Sequence, residues 1–115
     1  LAAPTTPPDR LRRIGERTRG FLYFVSITGV TGARAALPAD LPGRLDAVRA
    51  ASRAPVAVGF GISAPEQAAA LAEHADAVVV GSALVAEIAR SGGRTDGPVE
   101  LVRSLAEAVH AVRPR

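Results

Sequence analysis

Cysteine is missing from this 115-residue chain, which excludes disulfides and thiolate metal sites and leaves the redox compartment unmarked. Lysine is missing too. All 14 basic residues are arginine, a pattern of genomic base composition more than of chemistry. Aromatic residues make up 3%, namely Phe21, Tyr23, Phe24 and Phe60, so the core must be aliphatic and alanine-rich. A net charge of +3 and a pI near 10.9 raise nucleic acid as a partner. The arginines, however, are scattered among 11 acids along presumed helix faces, and no aromatic sits in a basic cluster. With neither a patch nor a stacking platform, no nucleic acid is expected. His74 and His110 stand far apart without ligand spacing, so no metal site is expected. No apolar run approaches the ~20 residues of a membrane span, and no signal peptide is visible. The expectation is a cytoplasmic protein with no membrane association.

What is present alternates between apolar strands and amphipathic helices. Leu1-Ala2-Ala3-Pro4 reads as the tail of a strand, and a start inside a strand leads us to expect a fragment. Thr6 is placed to cap a helix with Pro7 and Pro8 in its first turn and Leu11 and Ile14 on its inner face. Gly20 stops that helix. Phe21 to Val25 is a continuous apolar strand, the pattern of a strand covered on both faces. A glycine- and threonine-rich loop follows over 26–34, then a helix over 41–51 with Leu45 and Val48 facing inward.

Strand 56–60 leads into Ser63-Ala64-Pro65-Glu66, which reads as a capping box opening a helix to about Glu73. Strand 77–80 and helix 82–89 come next. After a linker over 91–97, a last helix over 98–112 is expected to bury Val102, Leu105, Val109 and Val112. This alternation predicts an α/β fold with a parallel sheet. The length fits a single domain, either an open four-stranded sheet or half of a (β/α)8 barrel, since a whole barrel needs about 250 residues.

The candidate site lies where strands break into glycine. Val58-Gly59-Phe60-Gly61-Ile62-Ser63 and Val80-Gly81-Ser82-Ala83 are two such junctions, with Gly59 and Gly81 spaced 22 residues apart. Glycine lets the backbone approach a bound group, and the following helix start supplies unpaired N–H donors and a positive dipole end. Adjacent βα units in a barrel often share one phosphate in this way. Gly61, Gly81 and Ser82 are therefore candidate phosphate ligands, with Phe60 against an apolar part of the ligand. The alternative for each is a plain βα turn, or for Ser82 an ordinary helix cap. Thr28-Gly29-Val30-Thr31-Gly32 is either a lid, with the Gly32 amide on phosphate and Thr31 orienting a catalytic group, or simply a turn. Acid–base machinery is lacking. Asp76 precedes its strand, at the wrong end, and Asp40 reads as a helix-start charge.

These junctions closely resemble the C-terminal half of the tryptophan synthase alpha subunit family. Gly29-Val30-Thr31-Gly32-Ala33 together with Gly59-Phe60-Gly61-Ile62-Ser63-Ala64-Pro65-Glu66-Gln67 is highly specific, and Ala3-Pro4-Thr5-Thr6-Pro7 and Val80-Gly81-Ser82 extend it over nearly the whole chain. The resemblance implies the C-terminal, phosphate-binding half of a (β/α)8 TIM barrel, a lyase that splits indole-3-glycerol phosphate into indole and glyceraldehyde 3-phosphate in L-tryptophan biosynthesis. It implies Gly32, Gly61, Gly81 and Ser82 on the phosphate, Tyr23 and Phe60 in the indole pocket, and Thr31 in a closing loop. The family's catalytic glutamate and aspartate belong to the N-terminal half, so no catalytic residue is expected here. It implies no cofactor on this chain, PLP belonging to the beta subunit of an α2β2 complex. Some family members carry arginine where this chain has Ile27. Two other readings stand beside this one: a barrel enzyme acting on a sugar phosphate, and a non-catalytic half-barrel binding module.

Overall fold

A computed structural model of the chain describes residues 1–26, 39–59 and 61–112. Its elements run α1 (Pro8–Arg17), β1 (Leu22–Val25), α2 (Leu41–Ala51), β2 (Val56–Gly59), α3 (Pro65–Ala72), β3 (Ala77–Val79), α4 (Ser82–Arg90) and α5 (Asp96–Val112). The three strands form a parallel sheet in the order β1-β2-β3. Ala2 extends it by one bridge beyond β1: its N–H donates to the Tyr23 carbonyl at 2.9 Å and its carbonyl accepts from Val25 N–H at 2.8 Å. The expected strand tail at the chain start is thus present as a single bridge.

Period-2 alternation sorts the strands into two faces. Leu22, Phe24, Val56 and Val58 point into the core, where Leu41, Leu45 and Val48 of α2 and Ala68 and Leu71 of α3 meet them. The reverse face carries Tyr23, Val25, Ala57, Gly59, Ala77 and Val79. There Tyr23 and Val25 are half-buried, and Ala77 and Val79 are exposed. Among the described residues the helices pack against the first of these faces, and in β1 the second face is partly buried. Phe21, counted as strand, stands before β1 and is 60% exposed.

Two helix starts lie one residue later than expected, for one reason. A residue before proline is pushed out of helical dihedrals. Pro7 and Ala64 each precede a proline and are extended, so α1 and α3 begin at Pro8 and Pro65. Thr6 therefore does not cap α1, and its hydroxyl accepts instead from Ala3 N–H at 2.9 Å. Helix α5 starts two residues earlier than expected, at Asp96, with Pro98 in its first turn where a missing N–H costs little. Val102, expected inside, is 49% exposed, whereas Leu105 is buried. Among the described residues no helix is long and apolar enough to cross a membrane.

Asp76 ties the strand starts together at the end opposite the glycine junctions. Its Oδ2 accepts from Val56 N–H at 2.8 Å, and its Oδ1 lies 3.2 Å from Arg49 Nη2. Removing a charged acceptor from a half-buried amide costs about 1.5–3 kcal/mol. Asp76→Ala should lose stability of that order in urea unfolding. Asp76→Asn keeps an oxygen for Val56 and should lose under about 1 kcal/mol, the worth of the surface ion pair. Equal losses in the two variants would mean that the Arg49 pair, not the Val56 bond, matters.

Candidate functional site at the strand exits

Register brings the junctions together. Val25 pairs with Gly59 and Gly59 with Val79, so β1, β2 and β3 end on one level. Gly61 and Gly81 each lie two residues past a matched pair on neighbouring strands, at the same end of the sheet. Gly61 adopts φ +77°, a left-handed conformation that costs a residue with a Cβ roughly 1–2 kcal/mol. The next residue, Ile62, is buried in the core and anchors the turn.

Gly81 is the N-cap of α4, and Ser82 is its first helical residue, not its cap. Both are exposed, and among the described residues α4 has no side-chain cap bond, at the end of the helix that follows the exit of β3. At the β2 exit the capping box is only half made. Ala64, the N-cap, has a methyl where a serine hydroxyl was expected to sit, and the returning acceptor is Gln67 instead of Glu66. Gln67 Oε1 accepts from Ser63 N–H at 2.8 Å and Ala64 N–H at 3.1 Å.

Tyr23 lies on the face away from the helices. From a position opposite Ala57 its ring leans along the sheet toward the exits and covers Gly59, where a Cβ would overlap the phenol. A side chain at position 59 and the present Tyr23 ring are mutually exclusive. Ser26 closes the same corner. Buried at 2% exposure, it donates both its Oγ (2.7 Å) and its N–H (3.1 Å) to the Gly59 carbonyl. Sequence reading passed over Ser26; the available signal was a lone hydroxyl ending an apolar strand.

Of the other expected site residues, Ile27, Thr31, Gly32 and Phe60 lie outside the described residues. Asp76 stands at the far end of the sheet, as expected. Asp40 is the N-cap residue of α2, and the hydrogen bond from Arg44 (2.6 Å) holds its carboxyl below the usual aspartate range. Among the described residues no group of three His, Cys, Asp or Glu could hold a metal ion. A cavity of about 560 Å³ runs beside β3 between α4 and α5, lined by Val78, Val80, Leu84, Val102, Leu105 and Val109. It belongs to the helical layer and includes neither Gly61 nor Gly81.

Parallel strands, helices on one face and glycine-bearing exits level at the carboxyl end define a portion of a (β/α)8 barrel. The chain belongs to the tryptophan synthase alpha chain family, whose model matches residues 1–113. It is 50% identical to the alpha chain of Novosphingobium aromaticivorans over 98% of its length, and 54% identical to that of Gloeobacter violaceus over 93%. Among solved structures, a mutant alpha subunit from Pyrococcus furiosus matches with a TM-score of 0.78 at 40% identity, covering 93% of this chain and 43% of that one. A tryptophan synthase a2b2 complex from the same organism matches with a TM-score of 0.70 at 42% identity, covering 97% of this chain and 43% of that one. The chain spans about two-fifths of these relatives: 43% of the Novosphingobium protein and 37% of the Gloeobacter protein.

The single tyrosine, in a chain without tryptophan, gives a local probe of this corner. Gly59→Ala should displace the Tyr23 ring, alter tyrosine fluorescence and cost about 1–3 kcal/mol through overpacking. Gly61→Ala should cost roughly 1–2 kcal/mol in backbone strain while leaving that fluorescence near its original value. Unchanged emission in the Gly59 variant would contradict the described seat of Tyr23.

Proposed function

We propose that this chain supplies the phosphate-binding half, and part of the indole pocket, of an alpha subunit that cleaves indole-3-glycerol phosphate to indole and glyceraldehyde 3-phosphate. The observation that carries the reading is the common level of the β2 and β3 exits in a chain of this family. On this reading the substrate phosphate takes N–H donors from Gly61, Gly81 and Ser82 and from Gly32. The positive end of the α4 dipole adds to their attraction. Tyr23 and Phe60 flank the ring, and Thr31 supports the loop that closes over the site.

Fixing the phosphate and the ring holds the bond between them in place, which lowers the entropic part of the barrier. In the retro-aldol step the bond from the indole ring to the hydroxyl-bearing carbon breaks. Its electron pair passes to the ring carbon, which takes up a proton, and the hydroxyl proton leaves as the aldehyde carbonyl forms. The groups that move these protons are the glutamate and aspartate of the family's N-terminal half; the residues of this chain bind and orient. We assign no cofactor to the chain. Its protein partner is a PLP-containing beta subunit in an α2β2 assembly, to which indole passes, consistent with the a2b2 neighbour from Pyrococcus furiosus.

The 115-residue chain alone should release no indole from indole-3-glycerol phosphate. Combined with the N-terminal half of the Novosphingobium alpha chain it should do so, and a folded hybrid barrel without activity would overturn the proposal. Indole-propanol phosphate should bind the hybrid more tightly than glycerol phosphate. Tyr23→Ala should erase part of that preference, by about 1–3 kcal/mol, the worth of a partly buried ring. Equal binding of the two ligands would favour a sugar-phosphate enzyme.

A further inference from the structure

The two exits offer their amides differently. At β3, the exposed N-cap of α4, Gly81, makes no side-chain cap bond among the described residues. At β2, Gln67 reaches back from the first turn of α3. Its Oε1 accepts from Ser63 N–H at 2.8 Å and Ala64 N–H at 3.1 Å, with the Ser63 hydroxyl at 3.4 Å. These are amides that a helix start otherwise turns toward solvent or an anion. Engaged by Gln67, they leave the glycine side of the loop as the donor edge. Ile62, buried in the core, and Gln67, bonded to Ser63 and Ala64, both hold the loop just beyond the left-handed Gly61.

We infer that Gln67 is a positioning residue of the phosphate site: it withdraws the Ser63 and Ala64 amides from the anion and fixes the loop so that Gly61 is presented to it. The side chain is also chemically matched to the task. Glutamate could accept the same two bonds, but it would place a negative charge in the loop that receives a dianion. Glutamine supplies the acceptor without the charge. This inference rests on the phosphate reading above.

The test uses Gln67→Leu and Gln67→Glu in the full chain, with amide exchange and titration by inorganic phosphate followed by NMR. Gln67→Leu should speed exchange at Ser63 and Ala64 by about tenfold and weaken phosphate severalfold. Gln67→Glu should keep exchange near the original rate yet weaken phosphate by about fivefold at low ionic strength, the deficit narrowing as salt screens the charge. Wild-type phosphate affinity in either variant overturns the inference while leaving the site standing. If Gln67→Leu does not fold, Gln67→Glu decides alone by the same criterion. If phosphate moves no resonance of Gly61, Gly81 or Ser82 in the unmodified chain, the phosphate reading fails and takes this inference with it.

Discussion

Pairing of Val25 with Gly59 and of Gly59 with Val79 sets three chain exits on one level, and the remaining architecture works from that alignment. A slip by one residue would turn each strand's core side chains to the opposite face. Leu22, Phe24, Val56 and Val58 prevent it, because together they fill the space against α2 and α3. The alignment is secured at both ends by polar groups. Asp76 holds Val56 at the start of β2, and Ser26 puts two donors on the Gly59 carbonyl at its end. Each satisfies a backbone group that would otherwise lie unpaired at a sheet terminus.

The two faces of the sheet have separate duties. The helix side is a mostly aliphatic core with Phe24 as its largest buried side chain. The other side carries Tyr23 over a residue without a side chain, and Val79 at 41% exposure. In a (β/α)8 barrel this second face is the interior, where side chains from all strands meet in layers. Tyr23 is then on the interior side, its ring leaning over Gly59 toward the strand exits. Glycine at position 59 is what makes room for it.

Much of this was legible in the residues because local signals agreed. The span of α2 follows from Leu41, Leu45 and Val48 at helical spacing, and the β2 and β3 strands follow from their valine runs. Helix caps were misread at Thr6 and Ser63, where a favourable hydroxyl drew attention from the stronger restriction imposed by a following proline. Val102 was misread because helical periodicity shows an apolar stripe but not what covers it; here it lines the cavity beside β3. The places of Gly61 and Gly81 just past the strand ends were legible from the valine runs that precede them. Ser26 and the bonds of Gln67 were not, since a hydroxyl or carboxamide reveals its partner only after the chain has folded back on itself.

The central claim is that neighbouring strand exits converge on one anion. A crystal structure of a complete alpha-subunit barrel carrying this sequence, with indole-propanol phosphate bound, measures it directly. The account predicts phosphate oxygens within hydrogen-bond distance, about 2.7–3.2 Å, of the Gly61 and Gly81 or Ser82 amides, with the ring beside Tyr23. Phosphate seated elsewhere, such as in the cavity beside β3, or bound by arginine side chains without those amides, would contradict it.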